Sequence, residues 1–424
     1  IHEISYIARK LWIIFLGYSK IEAQNREKTV HVLLVVKNIG GVLMKKRSLI
    51  AGLLCVALLS ACGGGAAKTE SSDSKASGDK IQIAVCGPMT GDNSEYGIGF
   101  YNAAVLKAKE WNDNGGVLGQ QIEIVQYDDK NTAEEATTIA QKIISDKKVV
   151  GVIGHFSSGV CMTAAPIYQE NKIIEISPSA SHPDYSGIGD YIFRNNTVIS
   201  KEAAASIDIA VNDLGKKKVG IISIMTDWGT NTSSIIKELI AKTDAEVVAH
   251  EEVMEGSDDY TPAITKLNEA GADVVICCGM YNLVAPVAKQ YKQINPDIKV
   301  VGFSNAYSQQ LIELGGSAVE GVCFPVIFFS ESDDPTIKSY VDSYKAAYGN
   351  APSALTSQAY DSVGILLTAI KDANTTDSEK VKDQIYKTTY QGVTGEIKFD
   401  ENGDVDKQFV KVTIKDGKFV KMDK

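Results

Sequence analysis

Histidine is scarce in this sequence, and cysteine is scattered. Among 424 residues there are five histidines and seven cysteines, with no C-x-x-C pair and no histidine cluster beside a cysteine, a spacing that argues against a zinc module and any bound metal. Cys55 and Cys62 lie in an N-terminal apolar stretch. The other five (Cys86, Cys161, Cys277, Cys278 and Cys323) are odd in number and mostly sit in apolar runs. They read as small buried hydrophobes, not as a complete disulfide framework. Basic residues are also in deficit, 43 Lys and Arg against 53 Asp and Glu, for a net charge of −10. Such a surface repels nucleic acid and anionic lipid headgroups.

The first forty-odd residues make a poor start for a secreted protein, whereas Met44 makes a good one. From it, "MKKRSLIAGLLCVALLSAC" runs from basic to apolar to small residues and ends at Cys62, the layout of a secretory signal. "LSAC" resembles a bacterial lipobox, so the mature chain is expected to begin at lipidated Cys62. Residues 1–43 read as translated non-coding sequence, with "GGVL" before Met44 matching an in-frame ribosome-binding site. The other reading is a genuine extension whose "LWIIFLG" lies on a membrane surface, since that run is far short of the roughly 20 residues a bilayer crossing needs. Residues 1–61 hold nine Lys and Arg against three Asp and Glu, which leaves 34 against 50 in the remainder, net −16. No later stretch is apolar enough to span a membrane, and the two acyl chains of a lipidated cysteine suffice for stable attachment. Residues 62–80, with "GGGAAKTESSDSKASGDK", form a flexible tether.

From Ile81 onward, short apolar runs alternate with helical patterns. "IQIAVCG", "IEIVQYD", "VVGVIGH" and "IIEISPS" are separated by helices near 100–112, 133–145 and from about 159. In the second helix Ala136, Ile139, Ala140, Ile143 and Ile144 share one face. The rhythm then restarts with "KKVGIISIM", "AEVVAHEEV", "DVVICCG" and "IKVVGFS", spaced by helices near 233–242, 262–270 and 283–291. Two βαβ series imply an α/β protein of two doubly wound parallel-sheet lobes. The last part departs from the pattern, with helices near 335–348 and 357–373 and a hairpin signal at Asp416-Gly417. The expected division is lobe 1 at 81–199 plus 328–396 and lobe 2 at 200–327 plus 397–424. Three crossings, near Val198–Lys201, Pro325–Phe328 and Glu396–Asp400, would form the hinge. A ligand cleft is expected between the lobes, at the C-terminal ends of their strands.

"GHFSSGV", at 154–160, is the first candidate for that cleft. A strand that ends in small residues and opens a helix presents unpaired N–H groups to an anion. Ser158 can add a hydroxyl. No lysine follows, as a phosphate-binding P-loop requires, which favours a carboxylate over a phosphate. No G-x-S-x-G elbow is present to make a serine nucleophile, and helix capping by Ser157 or Ser158 is the plain structural alternative. "ISPSAS" ends the next strand at Pro178 and puts Ser179 and Ser181 at a neighbouring strand end. Their hydroxyls and the Ser179 carbonyl suit a zwitterion, although Ser-Pro-Ser is also ordinary turn chemistry.

"GPMTGDNSEYGIGFYNA", "WNDNGGVLGQQIEIVQYDD", "VVGVIGHFSSGVCMTAAPIYQENKIIEISPSASHP" and "YIFR" resemble the extracytoplasmic substrate-binding lipoproteins of branched-chain amino-acid (leucine/isoleucine/valine) ABC transporters. These have the type I periplasmic binding protein fold, and the resemblance runs from about Ile81 to Lys424. It implies that Ser158 takes the ligand carboxylate and that Ser179 and Ser181 hold its α-amino and α-carboxyl groups. Tyr96 in "SEYG" would line the first-lobe side, and Trp228 in "TDWG" would close over the ligand side chain from the second lobe. Two positions depart from the family pattern. Ser304 stands where an acid for the ammonium is expected, and Met280 where a tyrosine is expected, with Tyr281 next to it. Tyr281, Asn305 and Tyr307 are candidate substitutes, and the ligand class widens to amides and aromatic acids. Lys130 and Ser157 stand near the positions of the family's first-lobe disulfide, which fits a Gram-positive lipoprotein. The resemblance implies a membrane-anchored receptor that hands a small amino acid to an ABC permease, with no cofactor and no catalytic residues. A sensor subunit and, less favoured, a serine amidase are the rival readings.

Overall fold

A computed structural model describes residues 80–422, and the leader, Cys62 and the tether up to residue 79 lie outside the described residues. The first sheet begins with β1 (Ile81–Gly87), then α1 (Ser94–Asp113), β2 (Ile122–Asp128), α2 (Ala133–Ser145), β3 (Val149–Ile153), α3 (Ser158–Glu170), β4 (Glu175–Ser177) and β5 (Ile192–Arg194). These five strands are parallel, in the order β2-β1-β3-β4-β5. In β1 every residue except Gln82 is buried, as a strand covered on both faces requires. Helix α2 is amphipathic as its spacing implies: Ala136, Ile139, Ala140 and Ile143 are buried. Its N-cap Thr132 accepts the Glu135 N–H at 3.4 Å, one half of a capping box.

The second series comprises α4 (Ile199–Asp208), β6 (Lys218–Ile224), α5 (Asp227–Ile240), β7 (Glu246–Val253), α6 (Thr261–Glu269), β8 (Val274–Cys278), α7 (Tyr281–Ile294), β9 (Lys299–Val301), α8 (Gln309–Gly315) and β10 (Cys323–Val326). Three helices follow, α9 (Pro335–Tyr348), α10 (Ala354–Ala373) and α11 (Ser378–Ile385), then strands β11 (Tyr390–Gly392), β12 (Gly395–Ile397), β13 (Val410–Lys415) and β14 (Lys418–Lys421). The second sheet runs β14-β13-β10-β9-β8-β6-β7. Its first five strands in sequence are parallel, as the βαβ series implies, and the terminal hairpin signalled at Asp416-Gly417 adds two antiparallel strands. Asp416 and Gly417 both adopt positive φ, 52° and 67°, as a two-residue hairpin turn of the primed type demands.

Helix α10 returns the chain to the first lobe, where it packs on α1 and on β3 and β4. Gln358 in its first half donates to the carbonyls of Pro178 and Asn195, each at 2.8 Å. That bond pair ties the helix to the strand ends that will form the cleft.

The chain passes between the sheets three times, from Arg194 to Ile199, from Val326 to Pro335 and from Ile397 to Val410. The start of the last passage stays pinned to the first sheet. A bridge joins Phe399 to Val405, and buried Arg194 in β5 binds Asp404 Oδ1 through Nη2 at 2.6 Å and Nε at 2.9 Å. An ion pair made inside the first lobe holds that segment there. No described helix is long and apolar enough to cross a membrane. All five described cysteines are unpaired and buried.

Candidate ligand cleft

Strand ends of both sheets converge on one cavity of about 370 Å³. On the first-lobe side β3 runs out at Ile153, and the extended Ser157 leads into α3 without a side-chain cap bond. Capping by Ser157 is therefore not what this serine pair does. Ser158 opens the helix, is 3 % exposed, and its Oγ accepts the Ser181 N–H at 3.2 Å. The two strand-end loops are thereby joined at the helix start, where first-turn N–H groups have no intrahelical acceptor. Ser179 also lines the cavity. Its hydroxyl donates to the Phe156 carbonyl at 2.7 Å, and its carbonyl accepts Asn196 Nδ2 at 2.9 Å. The Ser179 hydroxyl proton is thus turned away from a ligand, contrary to expectation, because it fastens one strand end to the other.

Behind this rim lies a fully buried support. His155 Nδ1 is 2.6 Å from Asp129 Oδ2, and its Nε2 is 3.2 Å from the Tyr168 hydroxyl. Both ring nitrogens are engaged, so His155 positions the loop and has no free nitrogen to act as a base toward the serines.

The second lobe contributes the ends of β6, β7, β8 and β9. Thr226 caps α5 by accepting the Gly229 N–H at 3.2 Å, which fixes Trp228 in the first helical turn. The indole Nε1–H reaches across and donates to Ser181 Oγ at 3.0 Å. Tyr96 of the first lobe donates to the Asn305 carbonyl of the second at 2.7 Å, and Ser308 donates to Glu95 at 2.5 Å. With three such bonds across the gap, the lobes are closed on one another.

Of the residues singled out in the sequence, Ser158, Ser179, Ser181, Trp228, Ser304 and Asn305 line the cavity, as does Met280. Tyr96 and Tyr281 do not. Tyr96 is 1 % exposed and stacks on Phe156 with ring centroids 4.3 Å apart, so Phe156 is the ring that faces the cavity. Tyr281 lies 5.9 Å from Tyr96, and burial together with nearby Glu95 pushes its hydroxyl up to about 12. Tyr307 is spent elsewhere, bonded to Ser330 Oγ at 2.9 Å.

The acids were not foreseen. Glu202, Asp227 and Glu255 line the cavity, all from the second lobe, and no Lys, Arg or His is among the lining residues. Glu202 is buried in α4 and accepts the Ser304 N–H at 2.6 Å. Burial raises its carboxyl above the ordinary range and the Ser304 bond opposes that rise. Glu255 is raised by the same cause, against hydrogen bonds from Asn93 and Asn282. No group of three or more His, Cys, Asp and Glu among the described residues is placed to hold a metal ion.

The arrangement is a closed, two-lobed cleft with neutral hydroxyls on one wall and carboxylates on the other. Residues 80–418 match the sequence profile of the periplasmic binding protein family. The chain belongs to this family. Its architecture is the family's type I fold. A leucine-, isoleucine-, valine-, threonine- and alanine-binding protein of Pseudomonas aeruginosa is 28 % identical over 330 residues, 77 % of this chain and 87 % of that protein. The crystal structure of leucine-binding protein LivK from Thermotoga maritima superposes with a TM-score of 0.76 at 28 % identity, covering 81 % of this chain and 98 % of that one. The branched-chain amino-acid binding protein LivJ of Streptococcus pneumoniae, solved with isoleucine, gives 0.75 at 26 % identity, covering 80 % and 97 %.

Proposed function

We propose that this protein is the extracytoplasmic receptor of an ABC importer and captures a small, branched-chain-type amino acid between its lobes. The observation that carries the reading is the joined pair Ser158 and Ser181 at the start of α3, in a cleft whose apolar lining is Phe156 of the first lobe with Ile224, Trp228 and Met280 of the second. Hydroxyl and helix-start N–H groups bind a carboxylate, and the apolar wall takes an aliphatic side chain. The names of the relatives point to the same ligand class. Lobe closure is a hinge motion about the three crossings, and the closed complex is delivered to permease subunits. A lipid on Cys62 would hold the receptor at the membrane, in keeping with the lipobox. Binding without turnover is supported by His155, whose ring nitrogens already face Asp129 and Tyr168.

The test is a thermal-shift screen of the purified protein against amino acids, their amides, aromatic acids, sugars and phosphates. A ligand at about 100 times its Kd adds about 2.7 kcal/mol of stability. Leucine, isoleucine or valine should give the largest shifts. Stabilisation confined to solutes without a carboxylate would contradict the reading.

A further inference from the structure

We propose that the carboxylate of Glu202 is the acceptor for a ligand ammonium, so that this cleft takes a zwitterionic α-amino acid and not a plain carboxylic acid. The proposal rests on the reading of Ser158 and Ser181 as the carboxylate cradle. It adds the opposite end of the ligand.

The position of Glu202 carries the argument. It lies in the first turn of α4, immediately after the first crossing, and is 4 % exposed while lining the cavity. Its Oε1 touches the N–H of Ser304 at 2.6 Å. An acid therefore reaches residue 304 from another helix. The serine at 304 is small and leaves room for it, where a second acid would set two carboxylates against each other.

The charge around Glu202 points the same way. A carboxylate offers about four acceptor sites, and the neutral donors of Ser304 do not balance its charge. No cationic side chain lines the cavity, so a bound ammonium is the counter-ion that the site itself does not supply. The other two acids are less suited. Asp227 is exposed, and Glu255 is half-buried with Asn93 and Asn282 beside it. Across the cleft, the first-lobe wall holds serines, asparagines and apolar groups without charge. A zwitterion can lie in one orientation only, carboxylate to α3 and ammonium to α4.

Calorimetry on the full chain with L-leucine and with 4-methylpentanoate, the same skeleton without the amine, separates the two ends. The wild type should bind leucine at least thirtyfold more tightly. Glu202→Gln should weaken leucine at least tenfold and leave 4-methylpentanoate within threefold. Glu202→Asp, checked for folding by its melting curve, should keep more leucine affinity than the glutamine variant. Ser158→Ala should weaken both compounds alike. Preference of the wild type for 4-methylpentanoate, or leucine affinity unchanged in both Glu202 variants, overturns the ammonium proposal while leaving the carboxylate cradle standing. Failure of both compounds to bind the wild type overturns the cradle reading and the ammonium proposal together.

Discussion

Two turns of the same design open the helix that follows the first strand of each lobe, and they put their aromatic rings to opposite uses. "SEYG" starts α1 and "TDWG" starts α5. In both, the glycine lets the helix sit directly on the end of the preceding strand or loop. A Cβ on Gly97 would lie 2.0 Å from the Pro88 carbonyl oxygen, and one on Gly229 would lie 2.0 Å from that of Ile224. Yet Tyr96 is stacked behind Phe156, and Trp228 stands in the cleft with its N–H on Ser181. The walls differ in charge as well, the first neutral and the second carrying three acids. The first lobe is built as a fixed rim, braced by the buried Asp129–His155–Tyr168 series. The second carries the groups that complete the enclosure on closing.

That contrast breaks most sharply at Trp228. Replacement by alanine removes an inter-lobe hydrogen bond and part of the apolar wall, together worth about 2 kcal/mol, so affinity for the amino acid should fall about thirtyfold. Tyr96→Phe removes only the bond to the Asn305 carbonyl, worth about 1 kcal/mol, and should cost about fivefold. Equal losses, measured by calorimetry, would show that the two rings are equivalent and the contrast false.

A smaller effect sharpens it further. Burial pushes the Glu95 carboxyl up to about 7, with the Ser308 hydrogen bond opposing and Glu313 adding to the rise. Glu95 faces Ser308 across the lobes, so opening would return it to solvent and to the ordinary range near 4.5. The closed form then binds a proton that the open form releases between those values. Closure should strengthen as pH falls from about 7 toward 4.5 and become independent of pH above about 8, where the ionised Glu95 opposes it in full. Proton uptake on ligand binding at pH 6, read by calorimetry in two buffers, should shrink in Glu95→Gln. Identical uptake in wild type and variant would remove Glu95 from the closing contact.

The parts of the site made by backbone at strand ends were legible in the sequence. "GHFSSG" and "SPSAS" announce themselves because small residues after an apolar run mark the place where a parallel strand opens a helix. Helices α1 and α5 begin at Ser94 and Asp227, about six residues before the starts near 100 and 233 that the apolar spacing implies, since "SEYG" and "DWG" carry no apolar period before their glycines. Ring direction was not legible: nothing in "SEYG", "GMYNL" or "NAYSQ" says that Tyr96, Tyr281 and Tyr307 turn inward to partners far away in sequence. Glu202 was invisible for the same kind of reason. In "ISKEAAAS" it resembles any charge on a helix surface, and only the first crossing, which swings α4 against residue 304, buries it. The anchor of the third passage, Asp404 on Arg194, was not legible either, because it joins residues 210 positions apart.

Central to this account is the claim that the first lobe holds a carboxylate at Ser158 and Ser181. It is tested most directly by measuring, on the wild type and on Ser158→Ala, the affinity of the most stabilising amino acid beside that of its own amide. In the wild type the amide, which lacks the negative charge, should bind at least a hundredfold more weakly, and Ser158→Ala should narrow that gap. Equal binding of acid and amide by the wild type would contradict the claim.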